Sequence, residues 1–430
     1  MTQEIKSRLD QIRRGEIPKE YHKGKLGIVC DEWEEIPFSS LFTSTSEYTD
    51  DLQKYPLYSL TIEDGITAKT ERYERSHLVK KSESYKIVRP NDYAYNPMNI
   101  RFGAVARHKE NNDVAVSGYY DIFTTVYPSD LAFMDSFLTC NAMLTYYNRV
   151  STGSLVEKQR VHFSQFMQFC LPLPPLEERK KIAKILSTQD KVIGLYDKKI
   201  EQLQLLKKAC LQKMFPKRGS KVPEIRFPGF TDDWEQRKLK DVADSFEYGL
   251  NAAAKEFDGT NKYLRITDID DALRAFSDDD LTSPDTDLAT ADNYRLQNGD
   301  VLFARTGASV GKSYIYRESD GRVYFAGFLI RARIKPENSA EFVFQNTLTS
   351  QYEKYILITS QRSGQPGVNA QEYGEYSILM PDYSEQEKIG DFLRKIDRLI
   401  TLHQRRREEE KQKKKALMQL LLSGIVRVKI

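Results

Sequence analysis

At 430 residues, with 65 Lys and Arg against 62 Asp and Glu, the chain is long enough for two or three domains and close to charge balance at +3. That balance excludes any argument for a nucleic-acid partner from bulk charge, so local patches must carry it. The four cysteines, Cys30, Cys140, Cys170 and Cys210, lack any C-x-x-C or paired spacing, which predicts a reducing cytoplasm without a disulfide frame or metal site, and no apolar run approaches the roughly 18 residues that span a membrane.

Residues 1–27 read as a polar amphipathic helix through Ile5, Leu9 and Ile12, followed by a Gly- and Pro-containing connector, and not as a signal peptide. Residues 28–171 open on DEWEEI, with Trp33 at its centre, and continue with strand-like runs (YPLYSLTI, YKIV, YAYN, GYYDIFTTVY) bounded by turn residues. Helical spacing over 133–150 completes a mixed α/β globule. Residues 172–216 then predict one long helix: proline and acidic residues open it, Pro216 stops it, and an apolar stripe runs through Ile182, Leu186, Ile193 and Ile200. Some 40 helical residues make a rod of roughly 60 Å, and the stripe asks for a partner of similar length.

A basic linker follows Pro216, and residues 217–379 form a second globule opening on DDWEQRKL around Trp234. Residues 380–430 repeat the long helix. A shift of 207 superposes the two helical stretches without a gap, bringing Pro174 onto Pro381, Glu178 onto Glu385, Ile182 onto Ile389, Leu186 onto Leu393 and Ile193 onto Ile400. The other copy is the only partner of matching length. Asp92, Gly103 and Gly118 correspond to Asp300, Gly311 and Gly327, so one plan was copied and its globules diverged.

No catalytic constellation emerges. RTGASVGKS (305–313) has three residues between its glycines where a phosphate loop needs four, and YIYRESDGRVYF after it predicts a hairpin instead of a helix. The aspartates of 268–292 lack calcium-loop spacing, and the five histidines are dispersed. RRREEEKQKKK (405–415) fits either a solvated helical stretch or a basic surface near phosphates or an acidic partner. Arg72, Arg75, Arg101, Arg107, Lys109, Arg305, Lys312 and Arg362 sit near turns among aromatics, and Thr306 shares the Gly-rich turn. Each alone reads as solvated charge; together, on paired globules, they point toward DNA.

The layout resembles the specificity subunit of type I restriction–modification systems. The resemblance rests on D-[DE]-W-E opening each globule, on Asn298-Gly299-Asp300-Val301-Leu302, on the R-x-G-x-x-x-G-K turn, and on the duplicated helices with their proline–glutamate starts. Two departures stand out: Glu178-Arg179 against the Glu385-Gln386 of the second copy, and Asn91-Asp92 in place of Gly299-Asp300. The resemblance implies an α/β fold of two target-recognition domains separated by an antiparallel helix pair with pseudo-two-fold symmetry. Helix contacts would run through Ile182, Leu186, Ile193, Ile200, Ile389, Leu393 and Ile400. It further implies a cytoplasmic, non-catalytic reader of bipartite double-stranded DNA that joins two modification subunits and the restriction subunits. S-adenosylmethionine, ATP and Mg would be bound by those partners and not by this chain. A helical scaffold that joins proteins without reading DNA is the alternative.

Overall fold

Both copies of the repeated stretch are single helices, Leu176–Lys213 and Tyr383–Leu421. The second is capped by Asp382, whose carboxylate accepts from the Glu385 N–H at 3.0 Å. The first ends short of Pro216, its expected stop. Beyond the first, Met214 and Phe215 turn into the core ahead of Pro216, and beyond the second, Gly424 adopts φ +71° against Trp33. The computed structural model describes residues 3–68, 85–154, 159–361 and 364–428. The chain forms two units, Met1–Leu195 with Arg407–Ile430, and Tyr196–Arg406. Each long helix therefore gives one half to each unit, a different grouping from one that sets the helices apart as spacer segments.

The apolar stripe has more than the other helix as its partner. In the first unit Ile182 and Leu186 share a core with Phe133, Phe137 and Leu171 of the globule and with Leu421 and Leu422 at the end of the second helix. In the second unit Ile200, Ile389, Leu393 and Ile400 share a core with Trp234 and Phe342. Ile193 is only half-buried. The reason is geometric: an apolar face about 100° wide exceeds what one facing helix covers, and the globule takes the remainder. Gly390 permits this, since a Cβ there would lie 3.0 Å from the Phe342 backbone nitrogen. Each fully buried Ile or Leu contributes about 1.5–3 kcal/mol.

The globules are closer kin than their sequences. In the first, β1 (Phe42–Thr45), β2 (Tyr93–Tyr95), β3 (Val105–Arg107) and β4 (Asp121–Thr125) form an antiparallel sheet in the order β3-β2-β4-β1. In the second, β5 (Ala243–Tyr248), β6 (Val301–Ala304), β7 (Ser313–Ile315) and β8 (Leu329–Ile334) take the matching order β7-β6-β8-β5. The first strands are offset by 201 residues and the other three by 208, so the second globule holds seven more residues between its first two strands. Glu34–Pro37 pairs with Cys170–Leu173 as Glu235–Lys238 pairs with Ser377–Met380. The segment after each tryptophan thus closes its globule against the strand that leads into a long helix.

Three expectations change. The helical stretch 133–150 is two helices, Leu131–Phe137 and Asn141–Val150, because Cys140 is extended (φ −70°, ψ 157°). They recur at an offset of 209 as Ala340–Asn346 and Ser350–Thr359. The residues after the Gly-rich turn do not make a hairpin: β7 pairs with β6, while Arg322–Phe325 runs parallel to Asn261–Leu264. The 208-residue offset of the flanking strands also matches Gly118 to Ala326, one residue from Gly327. The Asn91 departure has a simple basis. Asn91 (φ +73°) occupies the left-handed conformation that Gly299 (φ +88°) takes in the second copy, and asparagine tolerates it better than most residues with a side chain.

Candidate nucleic-acid interface

Of the five basic candidates among the described residues, four are committed to internal partners. Arg101 is buried, donating to Gln159 Oε1 at 2.7 Å. Arg107 donates through Nε and Nη2 to Asp135 at 3.0 and 2.8 Å and through Nη1 to Asn91 Oδ1 at 2.6 Å. Burial pushes the Asp135 carboxyl up, but Arg107 and Lys109 outweigh it and hold the group below its ordinary range. Lys109 is largely exposed, with Nζ 3.4 Å from Asp135. Lys312 is buried, donating to the Ile269 carbonyl at 3.1 Å and pairing with Asp271 at 2.5 Å, so it fastens one loop to another. Arg72, Arg75 and Arg362 lie outside the described residues.

The Gly-rich turn is not a phosphate cradle. The N–H groups of Gly307, Val310, Gly311 and Lys312 already donate to Pro366, Gly307, Ala304 and Ser309 carbonyls. Gly311 is required where it stands: φ is +82° and a Cβ would lie 2.5 Å from Ile356 Cγ2. Tyr352 and Tyr373 clamp its peptide groups, one hydroxyl donating to Gly311 O at 3.0 Å and the other accepting from its N–H at 3.1 Å.

At the end of the second globule's sheet, four loops are knitted together by backbone hydrogen bonds. Arg305 N donates to Phe328 O at 3.1 Å, Val368 N to Arg305 O at 2.9 Å, Gly327 N to Leu250 O at 2.9 Å and Gly249 N to Leu329 O at 3.1 Å. Thr306 bridges to Gly367. Gly249 is obligatory, for a Cβ would sit 2.1 Å from the Ala326 oxygen. The surface that results presents Phe328, 61% exposed, Tyr248, 44% exposed, and the Arg305 guanidinium 5.1 Å above the Tyr248 ring. That guanidinium meets no hydrogen-bond acceptor among the described residues. Sequence reasoning picked out Arg305 and missed Phe328 and Tyr248, because only the strand ends bring residues 248, 305 and 328 together.

The helices carry ion pairs that the 207-residue shift exchanges. In the first unit Lys414 Nζ lies 2.6 Å from Asp190, and in the second Lys207 Nζ lies 2.5 Å from Asp397. Asp190 and Asp397, like Lys207 and Lys414, are repeat mates. Buried Glu178 takes a bidentate bond from Arg427, both contacts at 2.8 Å, and buried Glu385 takes one from Arg226 at 2.7 and 2.8 Å. The hydrogen-bonded glutamate raises each arginine's affinity for its proton further. These glutamates were legible as favourable charge at a helix start; their arginines were not, since both lie beyond the gap-free overlay. The ladder 178–427, 189–410 and 190–414 in one unit, and 207–397 in the other, is antiparallel. The Arg179 departure is answered by another: Arg179 forms a buried ion pair with Asp130, whereas Gln386 Oε1 accepts from Ser339 N at 2.9 Å. Asp130 and Ser339 stand at the matching helix starts, offset by 209.

Among the described residues no group of three His, Cys, Asp or Glu side chains could hold a metal ion, and no helix is long and apolar enough to cross a membrane. The sequence matches the profile of the type I restriction modification DNA specificity domain over residues 125–205 and 231–412, more than half of the chain. It is 30% identical over 277 residues to the type I restriction enzyme MjaVIII specificity subunit of Methanocaldococcus jannaschii, covering 61% of this chain and 64% of that protein. It is 24% identical to the putative MjaX specificity subunit of the same organism, covering 99% of this chain and 93% of that one. With the EcoKI specificity subunit of Escherichia coli K12 it shares 22% identity over 74% of this chain and 66% of that one. The crystal structure of the S subunit from M. genitalium superposes with a TM-score of 0.59 at 13% identity, covering 90% of this chain and 96% of that one. A chain solved in work on assembly and conformational transition of the type I system gives 0.52 at 15%, covering 93% and 99%. The matched profile and the duplicated architecture together place this chain in the family of type I restriction–modification DNA specificity subunits.

Proposed function

We propose that the chain is the DNA-reading subunit of a type I restriction–modification complex, each globule recognising one half of a bipartite duplex site and the helix pair setting the spacer between them. What supports the reading above all is the exchange of contacts by the duplication: two globules of equal sheet order, each seated on the start of one long helix and the end of the other. Two readers joined through a helix pair of set length would convert two short readouts into one long site filtered by distance. Two modification subunits dock along the helices, where Leu195 and its repeat mate Leu402 are 66% and 47% exposed. The chain itself performs no chemistry; S-adenosylmethionine, ATP and Mg belong to the modification and restriction subunits, and the assembly works on chromosomal DNA in the cytoplasm.

The test inserts four residues after Lys198 and four after Arg405, lengthening each helix by about 6 Å at roughly 1.5 Å per residue while nearly keeping the stripe in phase. Cells carrying the complete system are then read for adenine methylation. With about 3.4 Å per base pair, the unread spacer should grow by one or two pairs while both half-sites persist. A folded insertion variant that methylates the original site overturns the ruler, and methylation by the isolated chain overturns its non-catalytic role.

A further inference from the structure

We propose that Arg305 is a base-reading residue of the second globule, placing both ends of its guanidinium on the O6 and N7 edge of a guanine in the DNA major groove, with Tyr248 fixing its plane and Phe328 packed against the duplex beside it. The proposal rests on the reading of the chain as a DNA-specificity subunit and names where that reading is made.

Three observations carry it. The first is a contrast. Arg101, Arg107 and Lys312 spend their donors on Gln159, on Asp135 and Asn91, and on Asp271, whereas the half-buried Arg305 guanidinium meets no acceptor among the described residues. It lies over the Tyr248 ring instead, and that ring is itself held by its hydroxyl, which accepts from Ala370 N at 3.3 Å. A guanidinium seated over a ring face is restrained by it while its N–H groups meet no acceptor among the described residues, which suits recognition of a base edge.

The second is rigidity. Both peptide groups of Arg305 are engaged, its N–H with Phe328 O and its carbonyl with Val368 N, so the side chain projects from a pinned backbone. A preorganised donor loses little freedom on binding.

The third is the exposed aromatic. Phe328 sits in the three-residue turn between Arg322–Phe325 and β8. The matching turn of the first globule, between Val114–Ser117 and β4, exposes Tyr119 at 47%. Two globules that diverged in sequence both leave an aromatic uncovered in this turn, which packing does not require. The set fits duplex DNA: a planar cation matches guanine, an aromatic face covers sugar or a thymine methyl, and the exposed amide of Gln365 beside Gly307 matches adenine.

The experiment uses the complex with its modification subunits and compares Arg305→Ala, Arg305→Lys and Phe328→Ala with the unaltered chain. Duplex libraries randomised across both half-sites are selected for binding, and methylated motifs are read from genomic DNA. Arg305→Ala is expected to lose about 10- to 100-fold discrimination at a single G·C position of one half-site, leaving the other half-site intact. Arg305→Lys should lose the same discrimination while keeping most sequence-independent affinity, since lysine keeps the charge but not the fork. Phe328→Ala should weaken binding without moving that position. Three results overturn the proposal: an unchanged motif in both Arg305 variants, a uniform loss that lysine restores (a phosphate contact), or a defect in assembly with the modification subunits. If the unaltered complex showed no sequence preference, the reading of the chain as a specificity subunit would fail instead, so the two failures are told apart. Trp234, buried in this unit, reports folding of each variant.

Discussion

Arg179 and Asp130 offer a quantitative test of how the globule is fastened to its helix. Asp130 is fully buried and Arg179 nearly so, and the second copy makes the equivalent tie with Gln386 and the Ser339 N–H. Arg179→Gln alone leaves a buried carboxylate without its cation, which costs about 3–5 kcal/mol. Asp130→Ser alone strands the guanidinium at comparable cost. The double variant recreates the chemistry of the second copy and should fall within about 1.5 kcal/mol of the parent, giving a coupling of several kcal/mol. The loss in Arg179→Gln should also depend on pH. Burial already pushes the Asp130 carboxyl above its ordinary value, with Arg179 opposing, so removing Arg179 raises it further. A carboxyl whose folded pKa exceeds its unfolded one favours the fold below the unfolded pKa, and that advantage is lost as pH rises through the folded value. The deficit of the variant should therefore be largest at neutral pH and shrink on acidification. Urea unfolding followed by Trp33 fluorescence in a Trp234→Phe background isolates the first unit, because the chain has one buried tryptophan per unit. A double variant as unstable as the worse single one would refute the pairing.

Glu385→Gln should destabilise the second unit by about 3 kcal/mol, because the partly buried Arg226 loses the buried carboxylate it grips, and Glu178→Gln the first unit by less, because Arg427 keeps Glu32 at 2.9 Å; the same two tryptophans report which unit melts early. Gly311→Ala should cost more than about 2 kcal/mol through its left-handed backbone and the clash with Ile356, and Gly311→Ala with Ile356→Ala should not recover the backbone part; circular dichroism melts decide. Asp397→Ala should cost about 2 kcal/mol and its repeat mate Asp190→Ala less than about 1, since Asp397 is shielded and also accepts from Gln345 at 2.8 Å while Asp190 is half exposed; equal losses in denaturant titrations would contradict this.

The long helices could be read from sequence because 3.6-residue periodicity over some 40 positions leaves little ambiguity, and a gap-free repeat doubles the signal. The kinship of the globules could not be followed so far. Their sheet strands are three to six residues long, and the offset moves from 201 to 208 to 209 along the chain, so only the tryptophans, the Asp92 and Asp300 turns and a few glycines stayed in view. Even there, Gly118 matches Gly327 by residue type, whereas the 208-residue offset of the flanking strands matches it to Ala326. The DNA candidates were chosen as basic residues near turns, and residue type cannot tell whether an aspartate waits across space. Asp135 takes up Arg107 and Asp271 takes up Lys312, while Arg305 stands over an aromatic ring. The expected hairpin after Lys312 failed for a related reason, because β7 is claimed by β6, the strand just before it, and Arg322–Phe325 by Asn261–Leu264, distant in sequence.

The unit that was duplicated and the unit that packs are not the same piece of chain, and this explains where the sequence has been free to drift. A globule with its following helix is what repeats, yet each globule is completed by the far end of the other helix, as Trp33 against Gly424 and Trp234 near Phe215 show. Several scaffold contacts therefore exist twice: Glu178 with Arg427 and Glu385 with Arg226, and, with partners taken from opposite copies, Asp190 with Lys414 and Asp397 with Lys207. A change in one copy of such a residue disturbs one contact and leaves its mate intact, so each site must be compensated locally, as Asp130 with Arg179 answers Ser339 with Gln386. Residues at the sheet ends carry no such obligation. Phe328 and Tyr119 occupy equivalent turns without a reciprocal partner to satisfy. Under the proposed reading they can change with the DNA sequence to be read without disturbing a scaffold contact.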